Sequence, residues 1–171
     1  MRIAIISDTH DQIANLRGAV RYCNSYNVYM IIHCGDLISP FMLDELASFG
    51  GAVHLIYGNN VGDQHLISSW CGTKFPTITH HGILGAVEAD GKKIAFHHYP
   101  EIARSLAYQG NFDVVCCGHN HRYNVEKIGE TVLINPGEML GKDSSPSFAI
   151  LDTSTWNVEY IPVKVSPDDA V

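Results

Sequence analysis

The chain is poor in charge, and poorer in positive charge. Only 17% of its 171 residues are Asp, Glu, Lys or Arg, and 11 basic side chains stand against 18 acidic ones, for a formal net charge of −7. Such a balance excludes an extended nucleic-acid surface held by charge, although cations bound in a cleft would reverse the sign locally. Long apolar runs are lacking too. The run Ile3-Ala4-Ile5-Ile6 behind Met1-Arg2 is too short for a signal-peptide core, and no stretch approaches the roughly 20 residues that span a bilayer, so a cytoplasmic protein without membrane contact is expected. Cysteine is scarce and odd in number. Five residues, with Cys116 and Cys117 adjacent and no Cys-x-x-Cys pair, make neither a disulfide framework nor a structural zinc site, and Cys34, Cys116 and Cys117 read as buried thiols.

What is present is apolar material, 46% of the chain, enough for one core. The reading is a single domain over residues 1–163 with a short polar tail, 164–171, that frays around Pro167-Asp168-Asp169. The first half alternates short β-like runs (residues 2–7, 28–33 and 52–57) with helix-like segments. Ile13, Leu16, Val20 and Cys23 recur at helical spacing, and Ser39-Pro40 opens a short helix that Gly50-Gly51 would end. This is the pattern of a mainly parallel sheet with covering helices. After Phe75 the order changes. Asp90-Gly91 is a two-residue turn between residues 83–89 and 92–97, and a helix over 100–109 stops at Gly110. Residues 113–117 form a buried strand, and 123–128, 131–134, 147–151 and 157–163 follow as a strand-turn-strand succession.

Ligand-capable residues stand at the ends of successive predicted strands: Asp8 and His10, then Asp36, Asn59, His97, and finally His119 with His121. In an open α/β sheet the loops leaving the carboxyl ends of strands share one crevice, so residues far apart in sequence meet there. Imidazole and carboxylate suit first-row transition metals, and this many groups fit two ions sharing one carboxylate, for which Asp36 is the natural choice. Glycine precedes three of the groups, in Gly35-Asp36, Gly58-Asn59 and Gly118-His119, where the chain turns sharply. His33, His54, His65, His80 and His81 read as packing residues, since a lone histidine at a strand end is more often hydrogen-bonded than ligating.

The blocks Ser7-Asp8-Thr9-His10, His33-Cys34-Gly35-Asp36, Tyr57-Gly58-Asn59-Asn60, Gly118-His119-Asn120-His121 and Asn135-Pro136-Gly137-Glu138 together resemble those of the calcineurin-like metallophosphoesterases. The short bacterial and archaeal YfcE-like phosphodiesterase branch is the nearest likeness. The resemblance implies a four-layer α-β-β-α sandwich of mixed sheets with helices on the outer faces. It implies hydrolysis of a small phosphoester, a phosphodiester first, by a bridging water or hydroxide activated between two divalent metals. Manganese is the first expectation for those metals, with nickel, iron(II) or zinc as alternatives. Asp8, His10, Asp36 and His121 would hold one metal and Asp36, Asn59, His97 and His119 the other, with Asp36, Asn59 and His97 also taking part in catalysis. A homodimer or homotetramer is expected from similar proteins.

Two segments depart from the family pattern. Many members carry a histidine where this chain has Asn60, so no proton donor to the leaving group is assigned. The usual His-Gly-His is replaced by His97-His98-Tyr99, in which His97 is the chosen ligand and His98 its rival. Tyr99 and Arg122 are candidate substrate contacts, Lys92-Lys93 a solvated pair, and Asn135-Pro136-Gly137 either a plain turn or a support for the metal-bearing loops. The competing function is a non-catalytic, metal-binding interaction scaffold like the small subunit of retromer, which resembles the same branch.

Overall fold

The computed structural model describes residues 1–169 as two facing sheets with helices outside them. In the first sheet β1 (Arg2–Ile6), β2 (Met30–His33), β3 (Ala52–Leu55) and β4 (Ile78–His80) run parallel. On the other side of β1, β10 (Ser147–Asp152) and β11 (Asn157–Pro162) are added antiparallel. The second sheet has the order β5 (Leu84–Ala89), β6 (Lys92–His97), β7 (Val114–Cys116), β9 (Thr131–Pro136), β8 (Tyr123–Ile128), and its pairs β6–β7 and β7–β9 are parallel. Helices α1 (Ile13–Ser25) and α2 (Met42–Ala47) cover the first sheet, and α4 (Pro100–Gln109) covers the second. The expected α-β-β-α layering is therefore the observed one.

Three apolar layers follow from strand alternation. Ile3, Ile5 and Ile32 point between the sheets together with Ile94, Phe96 and Cys116, while Ala4, Ile6 and Ile31 point to the layer under α1 and α2. On β6 the parity runs the same way: Ile94 and Phe96 face the first sheet, and Ala95 faces α4. Asp90 and Gly91 both adopt positive φ, 55° and 69°, which is the backbone of a tight hairpin turn and fixes the β5–β6 register at Ala89↔Lys92.

Two elements have no sequence counterpart above. Helix α3 (Gln64–Trp70) buries only Ile67, so it shows no helical stripe, and it is held by Asp63, whose carboxylate accepts the Leu66 N–H at 2.9 Å. Strand β4 is three residues long with one buried side chain, too short for a period to show.

The tail does not fray over its described part. Arg21 donates to the Lys164 carbonyl (2.9 Å), the Ser166 hydroxyl (3.0 Å) and the Asp169 carboxylate, and pins a single 3-10 turn, Pro167–Asp169, against α1. Ala170 and Val171, the rest of the expected frayed segment, lie outside the described residues. The hydrogen bond from Arg21 lowers the Asp169 carboxyl from its ordinary 3.8 to about 2. A depressed carboxyl stabilises the folded form above its unfolded value and loses that contribution as pH falls through its folded one. Asp169→Asn should therefore speed amide exchange over residues 164–169 at neutral pH, and the difference from wild type should shrink between pH 4 and pH 2.

Candidate metal centre

The carboxyl ends of β1, β2 and β3 open toward the same edge as those of β6 and β7, and the loops leaving them are stitched together through the backbone. Asp8 N–H donates to Gly35 O (3.1 Å), His10 N–H to Asp36 O (3.0 Å) and Gly118 N–H to His98 O (3.0 Å). The sharp exits show in the dihedrals. Asp8, His10, Asp36, His119 and His121 all have positive φ, between 43° and 70°, a region non-glycine residues seldom occupy and one that clusters at functional sites.

Asp8 and Asp36 are almost fully buried, 0% and 2% exposed, and imidazoles face them. Asp8 Oδ1 lies 3.4 Å from His121 Nε2, 3.9 Å from His10 Nε2 and 4.0 Å from His98 Nε2. Asp36 Oδ2 lies 3.4 Å from His10 Nε2, and its Oδ1 3.5 Å from His98 Nε2. These gaps are long for direct hydrogen bonds, and Asp8 Oδ1 and His10 Nε2 are buried without a partner. Hard carboxylate and borderline imidazole atoms converging at this spacing suit a divalent cation between them. Two such groupings share Asp8: one with His10 and His121, the other with Asp36 and His98. Asn59 Oδ1 completes the ring, 2.9 Å from His98 Nε2 and 2.8 Å from His119 Nδ1.

Electrostatics matches the geometry. Burial pushes the Asp8 carboxyl up, but the imidazoles of His10 and His121 and the charge on His98 outweigh it and hold the group ionised, well below the usual carboxylate range. His121 is raised, first by its contact with Asp8 and further by Asp8, Glu138 and Asp143 as charges, against the opposing effect of burial.

Residues 1–156 match the calcineurin-like phosphoesterase superfamily domain. The chain belongs to this superfamily. A phosphodiesterase of Methanocaldococcus jannaschii is 35% identical over 159 residues, 90% of this chain and 93% of that protein. A solved structure described as a novel archaeal phosphodiesterase superposes with a TM-score of 0.89 at 32% identity, covering 95% of this chain and all of the other. The phosphoesterase YfcE of E. coli, at 16% identity and a TM-score of 0.68 over 96% of this chain and all of the other, shares the fold.

Six of the seven residues expected from sequence are gathered here: Asp8, His10, Asp36, Asn59, His119 and His121. His97 is not. By the alternation of β6 it follows Ala95 onto the α4 side, where its Nδ1 accepts the Tyr99 N–H at 3.1 Å, whereas His98 follows Phe96 toward the first sheet. His98 is 1% exposed, its Nδ1 is 2.9 Å from Cys34 O and its Nε2 looks into the cluster. The histidine of this segment that enters the cluster is thus His98, one residue later than the expected ligand. The histidines set aside stay outside the cluster. His33 is fully buried, hydrogen-bonded to Thr9 and pushed down to about 3 by burial, His54 pairs with His81 at 3.0 Å, His80 packs on Tyr57, and His65 is exposed on α3.

Sequence reasoning missed Glu138 as a supporting group and left Asn135-Pro136-Gly137 open between a plain turn and a support. Glu138, fully buried, accepts N–H bonds from Lys142, Asp143 and Ser144 and lies 2.9 Å from His121 Nδ1, so it sets the orientation of that ring. Asn135 donates to Gly118 O and Asn120 Oδ1, both at 2.9 Å, which makes the Asn135-Pro136-Gly137 turn a brace for the His119 loop. The signal available was a glutamate closing a motif block in an otherwise apolar neighbourhood. Asn60 clasps Asp36, with its N–H 2.8 Å from Oδ1 and its side-chain amide 2.6 Å from Oδ2.

Glycine is required where the loops close on the carboxylates. A Cβ at Gly58 would stand 2.0 Å from Asp36 Oδ1, and one at Gly118 would stand 1.9 Å from Ser7 Oγ and 2.6 Å from Asp8 Oδ2. Gly118→Ala should destabilise the fold by about 1–3 kcal/mol, the usual cost of overpacking, and also weaken divalent-metal uptake. Denaturant titration and metal titration of the same variant check both effects.

Proposed function

We propose that the chain is a phosphodiesterase acting on a small ester with two divalent metal ions. The observation that carries this reading is the convergence of two buried carboxylates, four imidazoles and the Asn59 amide with ligand atoms left unpartnered. Asp8, His10, Asp36 and His121 would hold one ion, and Asp36, Asn59, His98 and His119 the other. Asp36 is suited to bridge because its two oxygens face different histidines, His10 and His98. Bound in this way, the ions supply a positive field for the phosphoryl oxygens and acidify the attacking water.

The chain's own residues prepare that field. Glu138 orients His121, and Asn60 holds Asp36 in one rotamer through both carboxylate oxygens. An amide has no proton to deliver near neutral pH, so Asn60 does not act as the acid for the leaving oxygen. Esters with good leaving groups, such as aryl phosphodiesters, are the favoured substrates. For the metal we propose manganese first, which carboxylate suits, with nickel, iron(II) and zinc, which imidazole suits, as alternatives. The reading includes a cytoplasmic protein that binds no extended nucleic acid or membrane and assembles as a homodimer or homotetramer. The acidic net charge supports the lack of an extended nucleic-acid surface, and among the described residues no helix is long and apolar enough to cross a membrane. A metal-binding scaffold role of the kind expected for the retromer small subunit would use the same ligand atoms and ranks second, because the relative that is 35% identical over 90% of this chain is a phosphodiesterase.

Chelation should abolish hydrolysis of bis(p-nitrophenyl) phosphate, and Mn²⁺ should restore it with about two metals per chain. His98→Ala should lose one metal and at least a hundredfold in kcat, in line with loss of a major electrostatic group. His97→Ala should keep both metals, and Asp36→Asn should be the most damaging single ligand change. Metal-loaded protein inert toward aryl diesters and monoesters alike would end the phosphoesterase reading, and retention of both metals by His98→Ala would end the His98 assignment.

A further inference from the structure

Tyr99 stands beside the second-metal side of the cluster, against His98 and His119, and its backbone is held on both sides. Tyr99 precedes the first residue of α4, with φ −80° and ψ 126°. Its N–H donates to His97 Nδ1 (3.1 Å), its carbonyl accepts the Ala103 N–H (3.0 Å), and Pro100 follows at once. The ring packs edge-on against His119 (centroids 4.7 Å apart, 63° between planes) and His98 (5.4 Å, 71°), the two imidazoles that flank Asn59. Even so, it is 38% exposed, and among the described residues its hydroxyl has no hydrogen-bond partner.

This placement explains His97, which the metal cluster does not use: its ring nitrogen holds the Tyr99 backbone in place. The same backbone puts an aromatic ring beside His98 and His119. The exposed side of Tyr99 borders the cluster beside His119, itself exposed, so a group esterified to a phosphoryl centre held at the cluster would lie against it. Such a surface favours planar aromatic groups, which stack on tyrosine irrespective of their hydrogen-bonding edges.

We propose that Tyr99 is a specificity-determining residue that selects phosphoesters carrying an aryl or nucleoside group, by stacking that group beside the second metal position. The proposal rests on the phosphoesterase reading above and adds the substrate class. The hydroxyl has no part in it, so the ring alone should suffice.

The test compares phenylphosphonate with methylphosphonate, which are not hydrolysed, by calorimetric titration of the Mn²⁺-loaded protein. Wild type should bind the phenyl compound about tenfold more tightly, at the lower end of what ring stacking supplies. Tyr99→Phe should keep the preference, and Tyr99→Ala should erase it while leaving metal content and methylphosphonate affinity unchanged. With bis(p-nitrophenyl) phosphate, Tyr99→Ala should raise KM by a similar factor with little change in kcat. A phenyl preference that survives Tyr99→Ala, or is absent from wild type while both phosphonates bind, would overturn the selectivity proposal and leave the phosphoesterase reading standing. Metal loss in Tyr99→Ala, or a drop in kcat in Tyr99→Phe, would make Tyr99 a packing or proton-donating group instead. Failure of wild type to bind either phosphonate would remove both.

Discussion

Asp8 and Asp36 leave water almost completely at the ends of adjacent parallel strands, and the cost of burying two like charges so close together shapes what surrounds them. A buried ion costs several kcal/mol unless it is paired or bound to a cation. The chain answers in part with hydrogen bonds: Asp36 takes two from Asn60, and Asp8 takes the His119 N–H at 3.0 Å. The imidazoles stand at 3.4–4.0 Å, close enough to attract the charge and too far to satisfy it. What remains is a negative cage with room for cations.

The backbone bears the consequences of that arrangement. Bringing loops from both sheets onto the two carboxylates requires positive φ at five of the converging residues, and it requires positions without a Cβ at Gly58 and Gly118. Such strained turns persist because the apolar layers beneath them are tightly specified, with Ile3, Ile5, Ile32 and Phe96 completely buried between the sheets. Groups behind the ligands then remove their freedom: Glu138 behind His121, Asn135 behind the His119 loop, and His33 with Thr9 behind the first loop. Charge placement at the cluster is thus set by packing a layer below it, which is the condition for electrostatic preorganisation.

The same logic separates the interior of the site from its mouth. The cage residues and Asn60 answer to one another and to the strand ends, whereas Tyr99 keeps much of its ring exposed. Asn60 spends its donors on Asp36, and Tyr99 offers an exposed ring on a backbone fixed by His97 and Pro100.

Much of this was legible in residue order. Continuous apolar runs of four to six residues, each leading into a ligand-capable side chain and three of them through a glycine, reveal parallel strands whose ends converge, and Asp8, His10, Asp36, Asn59, His119 and His121 followed from that pattern because loop exits are local. Helix α3 and β4 were not legible, since a single buried residue in each leaves no period to detect. The choice between His97 and His98 was not legible either. Strand β6 is buried on both faces, so its sequence carries no mark of which parity faces the first sheet; pairing with β5 and β7 decides that Phe96 and His98 point inward and His97 outward. The sequence by itself determined the ligand chemistry and the strand ends, because both are written in neighbouring residues. Only the tertiary structure decided which of two adjacent imidazoles enters the cage, because side-chain parity acquires a direction only when the second sheet packs against the first.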